Sequence, residues 1–273
     1  MSTPPPHFAD PEIVSLLSFW AEAGVDVAYD LEPQDRMKPL PARAPRGAAA
    51  PASVPEPPPA PTQAQQQGLD IAAAVHEARR LAGAAPDLAA LEAAIAAFDG
   101  CALKAGASRA VFARGRPDAP IMIIGEGPGA DEDRQGEPFV GRAGKLLDRM
   151  LTAAGIADRV FITNTVFWRP PGNRTPTLSE QAVCRPFVER AIALVQPKLL
   201  LLAGGASAKS MLNTQEGILA LRGRWSNWRS EDGEITLPAL PMLHPAFLLR
   251  QPMAKKKAWA DLLTLNAKLS EAV

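Results

Sequence analysis

The sequence predicts an α/β fold, a three-layer α/β/α sandwich around a central, mainly parallel four-stranded sheet. Three observations predict it. Residues 120–124, 160–163 and 198–203 read PIMII, VFIT and KLLLLA, short apolar runs of the kind that a strand covered on both faces requires. A stretch with helical spacing separates each run from the next, and that alternation builds parallel sheets with helices on both sides. Polar or glycine-rich segments follow the strands directly, where such sheets gather ligands beyond their C-terminal ends.

Taken in order, residues 1–38 hold a short helical segment. Asp10-Pro11 is a helix start, and Ile13, Leu16, Leu17, Trp20 and Val25 recur at helical spacing, which gives the segment one apolar face in need of a partner. That face either docks on the main domain or engages a protein partner. Residues 39–68 are mostly Pro and Ala with few large apolar side chains; they cannot offset the entropy of ordering and are read as a disordered linker. Two Ala/Leu-rich helices, 69–84 and 87–98 with Pro86-Asp87 between them, lead into a main domain spanning 99–270. A fourth strand ends just before His244, in LPALPM at 237–242, where Pro238 and Pro241 point to a sheet edge or a strand end.

The formal net charge is zero, but it is unevenly spread. Residues 1–100 carry 6 Lys+Arg against 13 Asp+Glu, net −7, and residues 101–273 carry 23 against 16, net +7. Only the second part suits a polyanion. No uncharged apolar run reaches the ~18 residues of a membrane span, and MSTPPPHFADPE lacks the basic start and apolar centre of a signal peptide, so the expected location is the cytosol. Cys101 and Cys184 are the only cysteines, too few for a disulfide framework or an all-cysteine metal site.

Three clusters follow the strands. The first is GEGPGADED at 125–133 with GEPFVGRAG at 136–144; the second runs from Asn164 to WRPPGNR at 168–174; the third is HPAFLLR at 244–250. The glycine-rich turn does not suit phosphate, because Asp131, Glu132 and Asp133 would repel it and no Lys-Ser/Thr follows.

In order and spacing, GEGPGADED with GEPFVGRAG, ITNTVFWRPPGNRTP and HPAFLLRQP resemble the signatures of family-four uracil-DNA glycosylases, over about residues 95–265. The resemblance implies the uracil-DNA glycosylase-like form of the α/β/α sandwich and hydrolysis of the N-glycosidic bond of uracil in DNA. The motif match implies that Phe139 stacks on the extruded base, and that the Asn164 amide donates to O4 and accepts from N3–H, a pattern cytosine reverses. Glu132 is the candidate for closing the space beside C5, and Gly127 and Pro128 border the base. Departure of the base leaves negative charge mainly at O2, where His244 matches the required donor. Gly127 stands where other glycosylase families often hold a water-orienting carboxylate, and the adjacent Glu126 is the candidate for positioning water or uracil. Phe247, Leu248 and Leu249 are candidate wedges into the base stack, and Arg142, Arg169, Arg174, Arg250 and Lys255, with Lys256 and Lys257, are phosphate candidates.

The resemblance also implies a four-iron four-sulfur cluster held by four cysteines, and here the chain departs from the pattern. Cys101 and Cys184 match the second member of each cysteine pair, while Phe98 and Trp168 occupy the partner positions. Neither aromatic ligates iron, so no cluster and no other cofactor is expected. The two rings are expected to fill the vacated volume as a hydrophobic staple. Uracil-containing DNA is the expected partner of a monomeric enzyme. A non-catalytic DNA-binding or scaffold protein on the same fold, and a broader deaminated-base glycosylase, are the alternatives. The covalent DNA-trapping relatives carry a basic histidine-bearing insertion after the first motif that GRAGKLLDRMLTAAGI lacks.

Overall fold

The computed structural model describes residues 63–271; the expected N-terminal helical segment and most of the expected linker lie outside them. Within the described residues the elements are α1 (Gln63–Ala84), α2 (Leu88–Ala97), β1 (Ala113–Gly115), β2 (Ile121–Gly125), α3 (Ala130–Gln135), α4 (Arg142–Ala153), β3 (Val160–Asn164) and α5 (Leu178–Val195), followed by β4 (Leu199–Ala203), α6 (Gly205–Leu212), α7 (Ile218–Leu221), β5 (Ser226–Arg229), β6 (Thr236–Met242), α8 (Pro245–Arg250) and α9 (Lys255–Glu271). Helix α1 begins at Gln63, earlier than the expected 69. Asp87 caps α2, its carboxylate accepting from Ala90 N at 2.8 Å, and Thr177 caps α5 with Glu180 in a reciprocal box.

The strands lie in the order β1-β3-β2-β4-β6-β5. The central four, β3-β2-β4-β6, are parallel, as the alternating pattern requires. Among the described residues the sheet nevertheless has six strands, not four. Strands β1 and β5 add antiparallel edges on β3 and β6. They are three and four residues long, ARG and SNWR, with no apolar run that could mark them in the sequence.

The period of two along each central strand divides the core. Met122, Ile124, Phe161, Leu200 and Leu202 point to one face, with α1, α2 and α5 above them; Ile121, Ile123, Val160, Ile162, Leu199 and Leu201 point to the other, under α4, α8 and α9. Nearly all of these side chains are fully buried, and each removed from water contributes roughly 1.5–3 kcal/mol.

Strand β6 is interior, flanked by β4 and β5, which corrects the edge alternative of the expectation, while Pro238 and Pro241 lie near the two ends of the strand. Its prolines are tolerated because each sits where the pairing with one of the two neighbours is absent. Pro238 precedes the β4 pairing, which starts at Leu200↔Ala239. Pro241 lies past the β5 pairing, which stops at Ser226↔Ala239.

Candidate active site

Parallel register brings the first two clusters together. Gly125, the last residue of β2, lies beside Asn164, the last residue of β3, and Thr165 N donates to Gly125 O at 3.0 Å just beyond. A methyl carbon on Gly125 would stand 2.3 Å from Asn164 Oδ1 and 2.6 Å from Phe139 Cε2. Glycine is therefore the residue that lets the amide and the ring converge. Asn164 is 2% exposed, and its amide forms no side-chain hydrogen bond within the described residues, which leaves it open to a ligand.

His244 follows β6 and caps α8. Its Nδ1 accepts from Ala246 N at 3.1 Å, so in the neutral ring the proton resides on Nε2. Burial, reinforced by the charge of Arg250, pushes the imidazole down to about 4, and it is neutral at physiological pH. Gly204, at φ +106° after β4, lets the chain pass with its missing Cβ 3.0 Å from His244 Cβ. The rings of Phe139 and His244 stack with centroids 5.6 Å apart and planes at 29°.

One cavity of about 480 Å³ collects these groups. Glu126, Gly127, Pro128, Glu132, Phe139, Asn164 and His244, every residue assigned to substrate, line it. Glu126 has its backbone oxygen bonded by Thr165 Oγ1 at 2.6 Å, while its carboxylate has no protein partner among the described residues. The Glu132 carboxylate is engaged: it accepts from Gly129 N at 3.1 Å and from Gly141 N at 2.9 Å, tying together the loops on either side of α3. At Gly127 a side chain would meet Val166 Cγ2 at 2.9 Å, so this wall leaves little room for a carboxylate there.

The DNA-contact candidates divide. Arg174, Phe247 and Arg250 line the cavity, but Arg174 is paired with Glu180 through two bonds of 2.7 and 2.9 Å, whereas Arg250 has no ion-pair partner among the described residues. Arg169 bonds Asn173 Oδ1 at 2.7 Å, and Arg142 is exposed at the start of α4. Leu248 is fully buried in the core under α8, which overturns its assignment as a wedge; a helix of this pitch turns Leu249, 38% exposed, outward instead. Lys255 lies apart from the cavity, with Lys256 beside an apolar groove formed by Leu146, Met150 and Trp259.

The residues at the cluster positions do not fit a four-cysteine group. Cys101 and Cys184 are buried, Sγ to Sγ 4.0 Å, and Phe98 and Trp168, 3% and 1% exposed, occupy the partner positions. Their centroids are 6.5 Å apart, and Phe187 packs edge-on at 5.3 Å from Phe98. Two thiols within an apolar core supply half the ligands such a cluster needs. The S–H donated to Cys101, together with burial, holds the Cys184 thiol well above its ordinary range, as expected of an inert buried cysteine.

The second motif contains Pro170, Asn173, Thr175 and Pro176, to which sequence reasoning gave no role, and they also line the cavity. The Pro-Pro-Gly-Asn turn was the available signal: Gly172 and Asn173 take φ of +64° and +57°, and the reversal brings this segment to the cavity.

An α/β sheet with an aromatic ring, an open amide and a neutral imidazole gathered in one cavity beyond its strand ends defines the class of α/β proteins with a polar and aromatic pocket at the C-terminal side of the sheet. The chain belongs to the uracil DNA glycosylase superfamily, whose family model matches residues 112–263. It is similar to the Type-4 uracil-DNA glycosylase of Sulfurisphaera tokodaii, 39% identical over 162 residues that cover 57% of this chain and 73% of that protein. It is also similar to the Type-4 enzymes of Thermotoga maritima, 37% identical over 55% of this chain and 77% of the relative, and Pyrobaculum aerophilum, 35% identical over 64% and 91%.

Proposed function

We propose that this chain excises uracil from DNA, hydrolysing the N-glycosidic bond to release free uracil and leave an abasic site, and that it does so without an iron–sulfur cluster. The observation that carries the reading is the meeting of Phe139, Asn164 and His244 in one cavity.

The target nucleotide leaves the stack at a cost of a few kcal/mol and enters this cavity. Phe139 covers one face of the base. The Asn164 amide donates to O4 and accepts from N3–H, whereas cytosine would oppose donor to donor and acceptor to acceptor, leaving buried groups unpaired. As the bond from C1′ to N1 breaks, its electron pair moves onto the base and charge accumulates at O2. The His244 Nε2–H, fixed by the bond that Nδ1 accepts from Ala246 N, is aimed to donate to that oxygen, an effect worth ~10²–10³ in rate. Water adds to C1′, with the unpaired Glu126 carboxylate as the group that orients it, and the proton that water loses neutralises the departed uracil anion. Glu132 shapes the C5 side by bracing the two loops. Arg250, in the lining of the cavity, meets a phosphate, and Leu249 occupies the gap left by the extruded base.

The aromatic packing of Phe98, Trp168 and Phe187 supports a loop held by hydrophobic contacts where relatives would use metal. The chain acts on uracil-containing DNA as a monomer, and a DNA substrate fits the cytosol. No described helix is long and apolar enough to cross a membrane. Incubation with oligonucleotides carrying U, T, C or hypoxanthine, followed by alkaline cleavage of abasic sites, tests the proposal. Strand scission at U and not at T or C is expected; no scission at U would refute it.

A further inference from the structure

We infer that Arg114, on the edge strand β1, is a positioning residue that sets the stacking ring of Phe139, with Asp148 of α4 holding the guanidinium in place. The inference rests on the reading of Phe139 as the base-stacking group. Phe139 sits at φ +57°, a left-handed conformation that a bulky residue adopts only where its surroundings impose it. Arg114 supplies that constraint. Its Nε donates to Pro138 O at 2.8 Å and its Nη2 to Phe139 O at 3.3 Å, so the two carbonyls flanking the strained residue converge on one planar fork. The same Nη2 pairs with Asp148 Oδ1 at 2.6 Å.

Space beneath the turn is reserved for the same arrangement. A methyl carbon on Gly144 would lie 1.6 Å from Phe139 O, so the carbonyl presses directly on the first turn of α4. Register fixes the other end, with Arg114 opposite Ile162 of β3, two residues from Asn164. The edge strand thus links the amide that reads the base to the ring that covers it, and Arg114 itself lies outside the cavity.

The test uses full-length wild type, Arg114→Met, Asp148→Asn, Phe139→Ala and the Arg114→Met/Phe139→Ala double variant. Free uracil as an inhibitor reports on the stacked base, and a duplex carrying an abasic site reports on DNA binding without one. Arg114→Met is expected to raise the inhibition constant for uracil about 10-fold and to slow single-turnover cleavage similarly, with abasic-DNA affinity within about 2-fold of wild type. In the Phe139→Ala background the same change should add nothing, because coupled residues are not additive. Equal losses in both backgrounds, or no loss, would overturn the inference. Asp148→Asn should shift the uracil constant in the same direction by less; where Arg114→Met fails to fold, an unchanged constant for Asp148→Asn overturns it. A wild type that cleaves uracil DNA while Arg114→Met matches it defeats the positioning role alone, whereas a wild type that neither cleaves nor binds uracil defeats the functional reading and this role with it.

Discussion

Gly125→Ala is the smallest change that tests how the site is assembled. Gly125 ends β2 in register with Asn164, and its carbonyl accepts from Thr165 N at 3.0 Å. The added methyl would lie 2.3 Å from Asn164 Oδ1 and 2.6 and 2.7 Å from two ring carbons of Phe139, where unstrained contacts need ~3.5 Å or more. The backbone cannot retreat, so the amide and the ring must each shift by on the order of 1 Å, and a displacement of that size costs ~10²-fold in rate. Crowding of this kind also destabilises by ~1–3 kcal/mol, leaving a folded protein. Single-turnover cleavage of a uracil oligonucleotide should therefore fall ~10²-fold, with a modest loss of stability in urea titration. Wild-type cleavage by Gly125→Ala would refute the convergence of the two groups on this glycine.

Three other outcomes follow from the same geometry. Trp168→Ala should destabilise by ~3–5 kcal/mol in urea titration, because the ring is 1% exposed and packs against Phe98 and Phe167. Leu248→Ala should destabilise by ~2–5 kcal/mol, whereas Leu249→Ala should leave stability nearly unchanged and weaken binding to uracil-containing duplex. Because the folded His244 is held at about 4 against an ordinary 6.5, the unfolded chain binds the extra proton between those values. Stability should fall as pH drops through that window, by at most ~3 kcal/mol and less in proportion to solvent screening. His244→Ala should remove that part of the slope, and imidazole NMR shifts should report a neutral ring at pH 6.

The central strands were legible because IMII, VFIT and LLLLA are buried on both faces and carry no competing helical period. The edges were not: Ala113–Gly115 and Ser226–Arg229 form because a neighbouring strand offers free backbone groups, and that information resides in β3 and β6. The cavity residues Asn164 and His244 were legible from motif chemistry, since the one ends a strand and the other follows one. Leu248 was misassigned because three adjacent apolar residues on a short helix do not declare which one faces the core. Pro238 and Pro241 misled for a related reason: whether a missing N–H matters depends on where the neighbouring strands start and stop, which the chain does not state locally. Arg114 lay beyond sequence reasoning because its partners, Pro138, Phe139 and Asp148, are 24 to 34 residues away.

The measurement that tests the account most directly is single-turnover uracil release by Asn164→Ala and His244→Ala beside wild type, on matched U and C oligonucleotides. Wild type should release uracil from U alone, with a loss of ~10²–10³ when the His244 donor is removed and at least a comparable loss when the Asn164 amide is removed. Uracil release at the wild-type rate by both variants would contradict it.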